Sequence, residues 1–269
     1  MIEFRALDET SLQKLTECFN AAFSDYEQPI YLTEESMKYY LTASAVDLSL
    51  SYGAFCGEEL IALILNSAGR YQGHRVVFDA GTGVVPEHRG KGVFSGLFAY
   101  TAEELKKRGI DRYILEVLQS NHAAVAIYGK KGFDVQREYA VLLATGAKQA
   151  VDARVKSVPY GEFAAFATEV SVEPSYEHTT ETIGRNPQLY EVLYLEEKAY
   201  CIHAKRNGEV IQMHYNELSA LKEVMVALAE KFPKAMAKNV DFGCGDVIAM
   251  LKEIGFKEYL KQFEMALDI

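Results

Sequence analysis

Cysteine is scarce. The four residues Cys18, Cys56, Cys201 and Cys244 lie far apart and form no CxxC pair. That spacing excludes both a zinc-type metal site and a disulfide framework. Basic charge is also short: 28 Lys and Arg against 38 Asp and Glu leave a net charge of −10. A nucleic acid or an anionic membrane binds by displacing counterions, and this chain has no basic excess to do it with. No apolar run approaches the roughly 20 residues a membrane helix needs. Ile2 to Leu7 is a short alternating run, unlike the charged and then apolar opening of a secretory leader. The expectation is a soluble, cytoplasmic protein with no metal, no nucleic-acid partner and no membrane partner, its oligomeric state left open.

What is present is core. With 49% apolar and 12% aromatic residues over 269 positions, the chain can fill two domains rather than one. The most informative stretch runs from Val76 to Tyr128. A β-branched run (Val76, Val77, Phe78, then Val84, Val85) reads as a strand ending at Pro86, which cannot donate to a ladder. A loop follows with Gly90 and Gly92 beside Arg89 and Lys91. A helix comes next, with Val93, Phe94, Leu97, Phe98 and Leu105 at helical spacing, Glu103–Lys107 and Glu104–Arg108 pairs on its other face, and Gly109 at its end. A strand, a basic glycine loop and a helix N-terminus make an anion site, because free N–H groups and the helix dipole converge there.

As a dinucleotide loop the pattern is poor: Gly90, Gly92 and Gly96 give GxGxxxG rather than GxGxxG, although Glu116 lies where a ribose-binding acid would. The segment Arg89-Gly90-Lys91-Gly92-Val93-Phe94 instead resembles the Arg/Gln-x-x-Gly-x-Gly/Ala signature of the GNAT (GCN5-related N-acetyltransferase) superfamily, with Phe94 standing where Gly or Ala is usual. Asn121 to Phe133, an Asn, a short helix, Tyr128 and then Gly132-Phe133, resembles the second motif of that family. The resemblance implies an α/β fold with a mixed, twisted sheet (the acyl-CoA N-acyltransferase fold), and acetyl-CoA as acyl donor. It also implies transfer to a small-molecule or peptide amine.

The chain order supports that architecture. Ile2 to Leu7 reads as a strand, then a helix on Leu12, Leu15, Phe19, Ala22 and Phe23 capped by Asp8 or Thr10, then an irregular aromatic stretch (Tyr26, Pro29, Ile30, Tyr31). A second helix opens at Thr33. The resemblance implies that this helix pair covers the acceptor site. Leu48 to Phe55 and Leu60 to Leu65 read as a hairpin, Asn66 to Gly73 as a loop, Arg112 to Leu118 as a strand, and Phe133 to Leu143 as a final strand or strand pair. Gly146 to Val151, with Lys148, Gln149 and Asp152 nearby, reads as a linker, placing domains at 1–146 and 147–269. Farther on come strands at Val192 to Ile202 and Val210 to Tyr215, a helix on Leu218, Leu221, Val224, Met225 and Leu228, and a terminal helix and strand. Gly255-Phe256 falls on Gly132-Phe133 in a weak internal repeat, with Cys244 on Asn121 and Leu251 on Tyr128. Only Asn216-Glu217 stand where the repeat would need a glycine loop. The second domain is therefore expected to be a degenerate copy without the cofactor chemistry.

Within the expected site, the backbone N–H groups of Gly90, Lys91, Gly92, Val93 and Phe94 can hold a pyrophosphate, and Arg89 and Lys91 add charge. The family resemblance implies that Val84 and Val85 bind the pantetheine arm through their backbone. Tyr128 is the candidate general acid toward the departing thiolate, since a phenol can donate at neutral pH; the alternative is a core tyrosine. Asn121 can bind the cofactor or cap its helix. Asp79 is the candidate base, with Glu116 second, and Asp79 could equally be an edge or bulge residue. His74, His88 and His122 share no metal-ligand spacing. Two other classes remain open at this stage: a non-catalytic acyl-CoA sensor or scaffold, and a nucleotide-binding oxidoreductase.

Overall fold

The computed structural model describes residues 1–25, 31–145, 154–163 and 170–269. The expectations for Tyr26, Pro29, Ile30 and the linker at Gly146 to Asp152 fall outside the described residues. The chain forms two compact units, Met1–Leu115 with Ala266–Ile269, and Glu116–Met265.

The first unit contains β1 (Ile2–Ala6), α1 (Leu12–Ala22), α2 (Glu34–Ala43), β2 (Tyr52–Cys56), β3 (Glu59–Tyr71), β4 (His74–Val84), α3 (Val93–Lys107) and the start of β5 (Arg112–Leu118). The strands lie in the order β1-β2-β3-β4-β5. The first three junctions are antiparallel and β4–β5 is parallel, which requires the crossover that α3 supplies. Residues directly opposite each other share a sheet face. Tyr52, Ile64 and Thr82 stand in register, and Tyr52 meets Tyr100 of α3 with ring centroids 5.6 Å apart. Leu63 and Gly83 stand on the opposite face, where α1 packs. A Cβ on Gly83 would come within 2.7 Å of the Ala22 Cβ, which is fixed to the α1 backbone. Gly83→Val is therefore expected to push α1 off β4 and cost roughly 1–3 kcal/mol by overpacking. A lower urea midpoint for the variant is the measurement.

Three local expectations need correction. Asn66 to Gly73 is not a loop: β3 runs through to Tyr71 and turns at Gln72-Gly73, both at positive φ. Asn66 can pass through the core because its polar atoms are all matched. Its N–H donates to Ser51 Oγ at 2.8 Å, its Nδ2 to the Leu50 carbonyl at 2.7 Å, and its Oδ1 accepts from Tyr113 Oη at 2.8 Å. Ser11, rather than Asp8 or Thr10, caps α1, accepting from Lys14 N–H. Glu104 pairs with Lys107 at 2.9 Å rather than with Arg108, beside the expected Glu103–Lys107 pair at 3.1 Å.

The second unit takes in the end of β5, α4 (His122–Lys130), β6 (Asp134–Ala144), β7 (Lys156–Pro159), α5 (Tyr160–Phe163) and α6 (Thr180–Gly184). It continues with β8 (Tyr190–Leu195), β9 (Ala199–Ala204), β10 (Val210–Tyr215), α7 (Leu218–Lys231), β11 (Met236–Asp241), α8 (Gly245–Glu253) and β12 (Phe256–Asp268). Its strand order is β12-β6-β11-β10-β9-β8-β7. The stretch Val192 to Ile202 is a hairpin, β8–β9, rather than one strand. Its turn is Glu196-Glu197-Lys198, and the positive φ falls on Glu197, so no glycine or asparagine marks it. The sequence reading assigned no strand at β11. The final strand of the first repeat is single, β6.

The internal repeat is visible in the backbone. β7–β8, β8–β9 and β9–β10 are antiparallel and β10–β11 parallel, repeating the pattern of β1 to β5. α4 and α8 are both nine residues long, with N-caps Asn121 (φ −83, ψ 66) and Cys244 (φ −92, ψ 55). Gly132 and Gly255 follow them at φ 93 and 104. The compact units do not coincide with the repeats, however. β6, the last strand of the first repeat, pairs with β11 of the second. The chain's last residues lie beside the start of β5, where the Ile269 N–H donates to the Asp111 carbonyl at 3.0 Å and Arg112 pairs with Asp268 at 2.7 Å.

Candidate active site

β4 carries a bulge. Leu65 lies opposite Gly81 but Asn66 lies opposite Asp79, which leaves Ala80 as the extra residue. The Ala80 carbonyl accepts the Tyr40 hydroxyl from α2. Asp79 closes the bulge from within: Oδ1 accepts the Gly81 N–H at 2.9 Å and Oδ2 accepts the Thr82 hydroxyl at 2.6 Å. The β4–β5 ladder ends at Asp79–Leu115, while β4 itself continues to Val84. The last part of β4 is thus a strand edge released from its parallel neighbour. Val85 remains tied on the β3 side, its N–H donating to the Ile61 carbonyl at 3.0 Å.

Beyond Pro86 the chain makes a short 3₁₀ turn and then the glycine loop. Gly90 and Gly92 adopt φ 70 and 79, in the left-handed region where a side chain is strained, and Gly92 is the N-cap of α3. A Cβ at either glycine would meet nothing within 4 Å, so the space over the loop is open. Among the described residues, the N–H groups of Gly90, Lys91, Gly92 and Val93 have no protein acceptor. Lys91 is exposed and its ammonium has no ion-pair partner among the described residues. Gly96 serves packing instead: a Cβ there would lie 2.7 Å from Phe4 Cζ. The Phe94 ring lies over Phe98, centroids 5.8 Å apart, and Phe98 meets Tyr113 at 5.6 Å, so its bulk joins an aromatic row along α3.

Arg89 is committed elsewhere than to the open face. Its guanidinium forks onto Asp25, with Nη1–Oδ2 at 2.6 Å and Nη2–Oδ1 at 2.9 Å. It also donates from Nη2 to the Ala22 carbonyl at 2.8 Å and from Nε to the Val84 carbonyl at 2.9 Å. One side chain thereby joins the end of β4 to the C-terminus of α1. The hydrogen bonds from Arg89 hold the Asp25 carboxyl below its ordinary range. Stability from such a depressed carboxyl is present at neutral pH and is lost as pH falls through its folded value, below the usual carboxylate range. The pair is exposed, so solvent screens it and it adds little to stability. Arg89→Gln is accordingly expected to leave the melting temperature nearly unchanged while loosening the loop, read as faster amide hydrogen exchange at Gly90 to Val93.

Asn121 and Tyr128 belong to the second unit. Asn121 caps α4, its side chain accepting the Ala124 N–H at 3.1 Å. Tyr128 is partly exposed on α4, its ring edge-on to Phe133 at 5.4 Å. Glu116 lies in a polar cluster of the second unit with Asn239. Sequence reasoning missed Asp25, Tyr40 and Ala80, because partners 64 and 40 residues apart leave no periodic trace. Among the described residues, no three His, Cys, Asp or Glu side chains could hold a metal ion. No helix there is long and apolar enough to cross a membrane. The second repeat has β10 ending at Tyr215 and α7 starting at Leu218, and the N–H groups of Asn216 and Glu217 between them donate to the Lys198 carbonyl.

The bulged end of β4, released from its parallel neighbour, thus leads into a glycine loop of unpaired N–H groups at the head of α3. Residues 3–136 match the family described as Acetyltransferase (GNAT) domain, so this part of the chain is a GNAT domain. The fold of the whole chain is similar to a candidate acetyltransferase from Pyrococcus horikoshii (TM-score 0.74, 12% identity, 100% of this chain and 89% of the other). It is also similar to a GCN5-related N-acetyltransferase from Sphaerobacter thermophilus (TM-score 0.68, 13% identity, 99% and 95%). A tandem GNAT protein from the clavulanic acid biosynthesis pathway has the same fold (TM-score 0.66, 14% identity, 100% and 98%). A shorter likeness, 41% over 56 residues, is to the N-acetyltransferase YobR of Bacillus subtilis strain 168, and it spans 21% of this chain and 23% of that relative.

Proposed function

We propose that the protein is a cytoplasmic N-acetyltransferase that moves an acetyl group from acetyl-CoA to a primary amine, on a small molecule or a peptide. The amine attacks the thioester directly in a ternary complex. The observation that carries this reading is the row of unpaired N–H groups from Gly90 to Val93 under open space at the head of α3. Together with the N–H of Phe94 they suit the pyrophosphate of the donor, and Lys91 adds charge. Arg89 fixes the loop rather than touching phosphate. The released end of β4 at Val84 and Val85 suits the pantetheine arm as an added strand. Asn121 sets the start of α4 and can also bond the donor, and Tyr128 on that helix protonates the departing thiolate. The catalytic domain is 1–146, and 147–269 is a degenerate copy.

Asp79 spends both oxygens on its own bulge, and we assign it a positioning role. Asp79→Asn is then expected to lower stability by about 1–2 kcal/mol while leaving the pH dependence of kcat unmoved. Loss of the acid limb of that profile would instead make Asp79 the base.

Thermal unfolding with acetyl-CoA, CoA or NADH tests the donor. A ligand at 100 times its Kd stabilises by about 2.7 kcal/mol. A shift with acetyl-CoA, followed by thiol release in an amine panel, is the expected result. A shift with NADH alone overturns the reading, and acetyl-CoA binding without turnover on any amine points to a sensor.

A further inference from the structure

The second unit holds a group of buried and half-buried ionisable side chains that the acyl-transfer reading does not use. Three carboxylates lie there. Glu177 is paired with Lys238, Oε2 to Nζ at 3.0 Å. Glu264, almost wholly buried, takes two donors from Arg137 at 3.0 and 3.1 Å and the Tyr139 hydroxyl at 2.7 Å. Glu116 has no cation within ion-pair distance among the described residues. Its one hydrogen bond there is to Asn239, whose Nδ2 reaches Oε1 at 2.7 Å.

Asn239 supplies the second observation. It is 3% exposed, and its Nδ2 is shared between Glu116 Oε1 and Ser175 Oγ, the latter at 3.0 Å. Its Oδ1 is buried and has no hydrogen-bond partner. The backbone explains how it came to sit there. β11 bulges against β6 between Ala237 and Val240, and Asn239 takes φ 56 in that bulge. A strained asparagine facing a carboxylate with one amide atom unmatched costs free energy that the fold recovers only if a donor arrives. His178 stands in the same group, and burial, with Lys238 adding to it, pushes its imidazole down to about 3, so it adds no positive charge. Burial also pushes the Glu116 carboxyl up to about 7, against the pull of Lys238.

We propose that Glu116 and Asn239 form a binding site for the primary ammonium group of a small amine. Glu116 Oε2 and Asn239 Oδ1 are acceptors on neighbouring side chains, and neither has a donor among the described residues. An ammonium brings three N–H donors and a positive charge that can contact Glu116 directly, where Lys238 acts on it only from beyond ion-pair distance. The site is built entirely from the second unit and does not depend on acetyl-CoA binding at the loop.

Isothermal titration with 1,4-diaminobutane tests it, with the uncharged isostere 1,4-butanediol as control. Saturable binding of the diamine and none of the diol is expected. Glu116→Gln, which keeps shape and removes charge, is expected to weaken diamine binding at least tenfold. Asn239→Gly keeps the left-handed backbone and removes the orphan carbonyl, and it should weaken binding several-fold. Equal binding of diamine and diol, no diamine binding, or unchanged binding in both variants overturns the proposal and leaves a buried water as the occupant. The acetyl-CoA melting shift, measured on the same samples, reports separately on the loop.

Discussion

Gly92→Asp is expected to abolish the stabilisation by acetyl-CoA. Gly92 sits at φ 79, ψ 2 as the N-cap of α3. An L residue there costs roughly 1–2 kcal/mol of backbone strain, which alone lowers the melting temperature by about 2–4 °C per kcal/mol in a chain of this size. The larger effect is on binding. An aspartate puts a negative charge at the mouth of an anion site, and its side chain accepts the same N–H groups that would face a phosphate, as N-cap aspartates do. A loss of affinity of about 100-fold, or 2.7 kcal/mol, is expected, read as the disappearance of the acetyl-CoA melting shift. Gly92→Ala separates the two causes, because it keeps most of the strain and adds no charge. If the alanine variant loses the response as completely as the aspartate, strain alone governs the loop.

The second large effect is expected at Tyr128. If its hydroxyl protonates the departing thiolate, Tyr128→Phe removes the proton and keeps the ring against Phe133. Removing a general acid costs about 10²–10⁴-fold. That loss should fall on kcat, with KM for acetyl-CoA changed little, because the thiolate charge develops only on the way to the transition state. Steady-state kinetics with thiol detection decide it. A phenylalanine variant within threefold of wild type would reduce Tyr128 to a packing residue on an exposed helix.

The parts of this protein that could be read from its sequence are those governed by short-range rules. The loop glycines, the α3 stripe and Gly109 at positive φ each follow from a residue and its near neighbours. So does the Asn121 cap. The cross-repeat alignment of Gly132 with Gly255 was legible because both must adopt positive φ after a helix. What was not legible depends on distant partners. Asn66 reads as a loop residue until Tyr113, Ser51 and Leu50 are known to satisfy it. The fork of Arg89 onto Asp25 and Ala22 is equally invisible, because those partners lie 64 and 67 residues away. β8–β9 hides its turn because Glu197 carries a conformation usually left to glycine. β11 was missed because its bulge at Lys238-Asn239 breaks the alternation that announces a strand.

The exchange of final strands between the two repeats bears on why a copy without a glycine loop persists. β6 is encoded in the first repeat yet completes the second unit, and the last four residues of the chain complete the first. Two copies joined in this way cannot be inherited or discarded one at a time. A stop codon placed after the first repeat would leave β6 without β11, and one just before Ala266 would strip Arg112 of Asp268. On the proposed reading, selection on the first loop would preserve the second repeat as scaffold whatever its own chemistry. A segment held for its shape alone is free to acquire a new ligand.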